Sequence, residues 1–233
     1  MAAETSMTVC LAAFFWITFI VFLLKLFTGM RSLAIDGIFV AIVIGVMLLM
    51  FASIMKERCG TAPFGAVLSA VLLPWIFMLG GIVVLVHMLP GWIQPFSNTF
   101  GYLLCLMPAL NSQQKLTAIL NPENNTLGKL IVEDPNLMLN QFASATFDKT
   151  VLKMQEGGVL SRSNLAAMED FRKLIHMKDS VAEFLWYLLV GCVAITTSYN
   201  LMMNTVCQKS SIVDIPVPKK EDVLEMTNQS NLM

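Results

Sequence analysis

The side chains able to do chemistry are few. There are two histidines, His87 and His176, and five cysteines, Cys10, Cys59, Cys105, Cys192 and Cys207. No two cysteines form a Cys-x-x-Cys pair and no Cys/His grouping has metal-ligand spacing. Gly-x-Ser-x-Gly, His-Glu-x-x-His and a phosphate-binding glycine loop are also missing. No catalytic, cofactor-binding or metal-binding residue is therefore expected, and the chain does not read as an enzyme. The cysteines read as thiols in or near a membrane.

The elements that carry these residues are long and apolar. The chain is 56% hydrophobic and only 13% charged, about half the charge of a soluble domain. The deficit comes from four uncharged runs: Thr8 to Phe27, Gly37 to Met55, Phe64 to Leu89 and Phe184 to Val206. Each suits a hydrocarbon core of about 30 Å at 1.5 Å per residue. The segment before the first run holds Glu4 and no Lys or Arg, and no convincing cleavage site follows, so it reads as a retained span. Pro74 and Gly80-Gly81 predict a bent third span. The expected fold is an all-α integral membrane protein of about four transmembrane helices. It divides into a three-span region 1–89, a mainly helical extramembrane block 90–183, a fourth span 184–206 and a polar tail 207–233.

Charge is sparse in the spans. Lys25, Asp36 and His87 lie near span ends, where Lys25 and Asp36 either face one another or snorkel to headgroups. No span carries a midplane carboxylate or cation, which argues against transport. The block holds eight basic and nine acidic residues, Lys178, Asp179 and Glu183 among them. That balance predicts a solvated surface and, with a net charge of −1, no nucleic-acid partner. Ser180 and Glu183 have capping-box spacing, marking the start of the fourth span. Leu165, Met168, Phe171 and Ile175 predict an amphipathic helix leading into it, with Glu169 and Lys173 paired at i,i+4. The apolar stretch Phe100 to Leu110 is too short to cross and should lie at the interface or fold back on the bundle.

Small residues recur at Gly37, Ala41 and Gly45, and again at Gly65 and Ser69. Such spacing lets helices approach, within one chain or between copies, and packing within the chain is the expectation. Asn200 and Asn204 share a face and need partners in lipid: another helix, an aqueous surface or a pore.

Four spans put Cys10, Cys59 and Cys207 at one face and the block at the other. In an oxidising compartment two of the three could pair; in a reducing one they remain thiols. Basic residues near the span ends are matched on the two faces, and the glycosylation patterns at Asn124 and Asn228 fall on opposite faces, so orientation is open.

Two stretches carry a resemblance. Pro90 to Tyr102 (PGWIQPFSNTFGY) follows the third span, and Tyr199-Asn200 with Asn204 and Cys207 closes the fourth. Together, over about 22 of the 233 residues, they resemble membrane proteins of large icosahedral DNA viruses with an internal membrane, the chlorovirus and giant-virus group. The resemblance implies a minor capsid protein seated in the virion inner membrane, in contact with lipid and with its soluble block touching the capsid proteins; self-association, through the small-residue stripes, is the alternative to packing within the chain. On the residues themselves, Pro90, Gly91 and Pro95 fix a turn, Trp92 anchors at headgroup level, and Asn98 caps a short helix. Trp92, Pro95, Asn98, Tyr199, Asn200 and Asn204 are the interface candidates. The expectation is a structural link between a bilayer and a protein shell, with a small oligomeric channel as the alternative.

Overall fold

The computed structural model describes residues 2–29, 32–60, 63–121, 131, 133–134, 136–161, 164–205 and 207. The two glycosylation patterns and the Lys219-Lys220 tail lie outside them. The described residues are helical, with one isolated antiparallel bridge between Leu120 and Leu160.

Four helices are long and apolar enough to cross a membrane. Helix α1 spans Ala2–Thr28 and α2 spans Leu33–Cys59. At the start of α2, Ser32 accepts a hydrogen bond from the Ala34 amide at 3.3 Å, supplying one of the orphan N–H groups of a helix start. Gly60 ends it with φ of 73°, a left-handed turn that glycine adopts freely. Helix α3 spans Phe64–Met88. The bend expected at Pro74 takes the form of a π-helical segment, Trp75–Gly80, directly after it. Pro74 has no N–H to donate, and the hydrogen-bond ladder widens there.

In the block, α4 spans Ser112–Ile119 and α5 spans Phe147–Glu156. Helix α6 then runs unbroken from Leu165 to Met203. Its 39 residues measure about 58 Å, roughly twice the hydrocarbon thickness, so half of it projects from the membrane. The boundary expected at 183/184 is therefore no break in the chain's structure. Asn164 caps this helix by accepting from the Ala167 amide, whereas Ser180 donates to its own helix at His176 O. The capping box at Ser180 and Glu183 does not form because helix precedes it.

Two cores are threaded on α6. In the bundle, α2 buries Phe39, Val43, Met47, Phe51 and Met55, one residue in every four. They pack with Phe14 of α1, Trp75 and Leu79 of α3, and Ala194 and Ile195 of α6. Gly191 permits a close α1–α6 approach, since a Cβ there would collide with the edge of the Phe14 ring. Gly37, Ala41 and Gly45 lie instead on the exposed side of α2, as Gly65 and Ser69 do on α3. A Cβ added at Gly37 or Gly45 would meet nothing within 4 Å. The expectation that this stripe packs within the chain is corrected: it faces the surroundings.

In the block, Leu116, Ile119, Phe142, Phe147 and Val151 close over Phe171, Leu174 and Ile175 of α6. The Phe142 and Phe171 rings meet edge to face at 5.0 Å. Of the predicted stripe, Phe171 and Ile175 are buried and Leu165 is exposed. Along α6 itself, Arg172 pairs with Glu169 and Lys173 with Asp170, each at i,i+3, in place of the expected Glu169–Lys173 pair.

Candidate functional site

Where the bundle meets the block, each of the four spans contributes one ionisable residue to a single buried cluster. Lys25 comes from the last turn of α1, Asp36 from the first turn of α2, His87 from the end of α3 and Glu183 from the middle of α6. Lys25 bridges the two carboxylates: its Nζ pairs with Asp36 and donates to Glu183 Oε2 at 3.1 Å. The Lys25, Asp36 and Glu183 residues are 5%, 0% and 3% exposed. Of the two readings of Lys25, the paired one holds and snorkelling does not.

His87 completes the cluster with Nε2 at 3.3 Å from Asp36 Oδ2. Its Nδ1 lies 3.0 Å from the Val83 carbonyl, which can only accept, so Nδ1 carries a hydrogen. The Nε2–Asp36 contact is attractive only if a further hydrogen lies between those two atoms. Tyr187 walls the cluster, with its ring centroid 5.3 Å from Lys25 Nζ and stacked on Phe39. A buried charge is tolerated when paired and hydrogen-bonded. These four side chains supply ion pairing for one another and thereby tie the end of α1, the start of α2 and the end of α3 to the middle of α6.

One turn earlier on α6, a second buried layer joins the helix to the block. Lys178 is fully buried and donates to Asn98 Oδ1 at 3.1 Å and to the Leu139 carbonyl at 2.9 Å. Asp179 accepts from Ser97 Oγ and from the Ser144 amide, both at 2.6 Å. Gly101 makes the approach possible, because a Cβ there would collide with the Lys178 backbone carbonyl. Asn98 is therefore an acceptor for a buried lysine and not a helix cap. The stretch Phe100 to Cys105 folds back on the extramembrane half of α6, where Cys105 Sγ donates to Leu174 O at 3.9 Å. Burial pushes the Cys105 thiol up to about 11.

The remaining interface candidates scatter. Trp92 stacks on Trp186 at 6.0 Å and its carbonyl accepts from the Trp186 indole at 3.0 Å, an aromatic pair of the kind enriched at membrane–water interfaces. Pro95 is exposed beside it. Tyr199 is half-buried against the bundle core, while Asn200 and Asn204 are exposed in line with Thr196. The sequence reading passed over Glu183 as a cap and Lys178 and Asp179 as solvated charge. At the opposite face Cys59 and Cys207 are joined as a disulfide, and Arg58 Nη1 donates to Met202 O at 3.0 Å alongside.

Among the described residues no cluster of His, Cys, Asp and Glu could hold a metal ion. No protein family, curated protein or solved structure matches the chain.

Proposed function

We propose that this chain is a structural, non-enzymatic membrane protein that links a bilayer to a protein assembly. The observation that supports the reading is the continuity of α6: one helix belongs to both cores, and buried polar contacts pin it to the block at Lys178 and Asp179 and to the bundle at Glu183. A load applied to the block is passed to the spans through rigid helix and not through a linker. In this reading the block is the partner-binding element, and its outer face carries exposed Lys149 and Lys153 on α5. The shell of a virion with an inner membrane is the assembly we assign, on the resemblance carried by Pro90 to Tyr102 and Tyr199 to Cys207.

Cross-linking mass spectrometry on purified particles tests it. Lysine-reactive links from Lys149 or Lys153 to shell proteins are expected. Fractionation that leaves the chain in host membranes, with none in particles, would remove the virion assignment.

The alternative of a small oligomeric channel is favoured by one feature, the exposed line Thr196, Asn200 and Asn204 on α6. The Thr196 hydroxyl is already satisfied by the Cys192 carbonyl at 2.8 Å, which leaves the two asparagines as the polar lining. Reconstitution into planar bilayers decides: conductance abolished by Asn200→Leu supports the channel, and none above background rules it out.

A further inference from the structure

We propose that a groove between α3 and α6, at the block end of the spans, is a binding site for one acyl chain of a membrane glycerolipid. The site stands apart from the shell-linking reading.

The groove has a volume of about 430 Å³, within the range of small-molecule sites. Helix α6 lines it with Trp186, Leu189, Val190 and Val193, whose i, i+3, i+4, i+7 spacing is one continuous helix face. Helix α3 supplies the other wall, with Phe77, Gly81 and Leu85 on successive turns. Phe77, Leu189 and Val193 are 75%, 51% and 54% exposed, so the groove is open along its side. Gly81 gives it depth: a Cβ there would meet nothing within 4 Å, and a longer side chain would stand in the groove. Regular helix resumes at Gly81 directly after the π-helical segment Trp75–Gly80, and such segments are frequent at functional sites. Trp92 stands at the block end, stacked on Trp186.

Position, length and polarity select the occupant. Both walls belong to membrane-spanning helices and no charged residue lines the groove, so what fills it is apolar. Trp186 to Val193 and Phe77 to Leu85 each rise about 10–12 Å at 1.5 Å per residue. That is less than half of a hydrocarbon core of about 30 Å. A chain from one leaflet matches this length, whereas a partner's spanning helix would need a groove running the whole thickness. Trp186 lies one turn toward the midplane from Glu183, so the aromatic pair is at the block end and the chain belongs to that leaflet. The glycerol end of the lipid then meets the aromatic pair, the kind of side chain that sits at interfaces. The Trp186 indole N–H is committed to the Trp92 carbonyl, and neither Lys nor Arg lines the site. A headgroup charge has no partner there, so the site reads the chain and not the headgroup.

The test uses the full chain in nanodiscs of phosphatidylcholine, a fraction of it carrying a photoactivatable diazirine on one acyl chain. After irradiation, adducts are mapped by peptide mass spectrometry. Adducts over 77–85 and 186–193 are expected to exceed several-fold those at Ile38, Ile42 and Leu49, the exposed apolar residues of α2. Equal yields on the two surfaces overturn the site and leave only unselective lipid contact. Gly81→Leu and Leu189→Trp fill the groove from its two walls, and each is expected to bring the groove yield down to that of α2. Leu189 is half-exposed, so Leu189→Trp is the variant that decides where Gly81→Leu fails to fold. An undiminished yield in Leu189→Trp overturns the site. Phosphatidylglycerol with the same labelled chain should give the same yields, and a several-fold change would show headgroup recognition instead. Loss of the groove adducts on adding cholesterol would make the occupant a sterol and overturn the acyl-chain assignment. Groove positions cross-linked to a second copy or another protein in native membranes, with no lipid adduct, would overturn it as well.

Discussion

The two buried layers on α6 lie within six residues of each other and are built on opposite principles. The bundle layer matches charge with charge: Lys25 against Asp36 and Glu183, with His87 on Asp36. The block layer satisfies Lys178 and Asp179 with neutral groups, namely Asn98, the Leu139 carbonyl, Ser97 and the Ser144 amide. The chemistry follows the surroundings. Near the hydrocarbon, backbone groups are consumed within helices and cannot solvate an ion, so the counter-charge must come from a side chain. In the block, irregular turns leave backbone groups free to point at a charge. The bundle layer therefore depends on composition and the block layer on backbone geometry, and the two should fail differently.

The largest effect is expected from removing one charge of the bundle layer. Asp36→Ala leaves Lys25 with Glu183 alone and His87 without its carboxylate. Breaking a buried pair in this way costs about 3–5 kcal/mol. Unfolding in detergent micelles should show the loss. The sharper comparison is the neutral triple variant K25M/D36N/E183Q, which removes the charges together. It should be less destabilised than Asp36→Ala, because no buried donor is left facing a deleted acceptor. A triple variant worse than the single one would mean that charge pairing does not govern this layer.

For the block layer the sensitive position is Gly101. Gly101→Ala places a methyl against the Lys178 carbonyl, and backbone on both sides resists displacement. Overpacking of this kind costs about 1–3 kcal/mol. The loss should be local: faster hydrogen exchange over 97–119 and 136–160, with α1 to α3 unchanged. Uniform acceleration across the spans would show that the block and bundle are not separable units.

Asp179→Asn comes next. It keeps a side-chain oxygen to accept from one donor but loses the charge that strengthens both hydrogen bonds, each worth about 1.5–3 kcal/mol when the acceptor is ionised. A loss near the low end of that range, read in the same exchange experiment, is expected. The Cys105 thiol offers a companion probe: buried, and pushed up to about 11, it should resist maleimide at neutral pH in wild type and react in Asp179→Asn as the block loosens.

How far the sequence predicts these layers follows from the range of the signals. Four spans, the disturbance at Pro74 and the facing of Lys25 and Asp36 are local or near-local, and periodicity exposes them. Glu183 lies 158 positions from Lys25, and nothing in a single sequence couples two sites that far apart. The same distance explains why Lys178 and Asp179 read as solvated: charge is exposed by default, and the neutral acceptors that bury them sit in turns with no pattern. The glycine stripe on α2 failed for another reason. Small residues every fourth position suit a helix interface and a lipid-facing surface equally well. The glycines that do permit close approach, Gly101 and Gly191, occur singly.

The smallest expected effect separates surface pairing from both layers. Arg172 holds Asp148 through a two-pronged contact and lies over the Phe147 ring at 4.6 Å. The hydrogen bond from Arg172 keeps the Asp148 carboxyl below its ordinary value, although the carboxyl is fully exposed. A carboxylate with a depressed folded-state pKa contributes stability above its unfolded value, about 3.9. That contribution is lost as pH falls through the lower folded value. Asp148→Asn should therefore unfold slightly more easily than wild type at pH 7, with the two curves converging below pH ~4. The gap at pH 7 should also close in high salt, because an exposed pair is screened. Asp36→Ala should keep most of its penalty in the same salt, since its partners are shielded from ions by four helices. If salt erased both penalties alike, the bundle layer would be as solvated as the surface, and the account of α6 as a helix clamped at two depths would not stand.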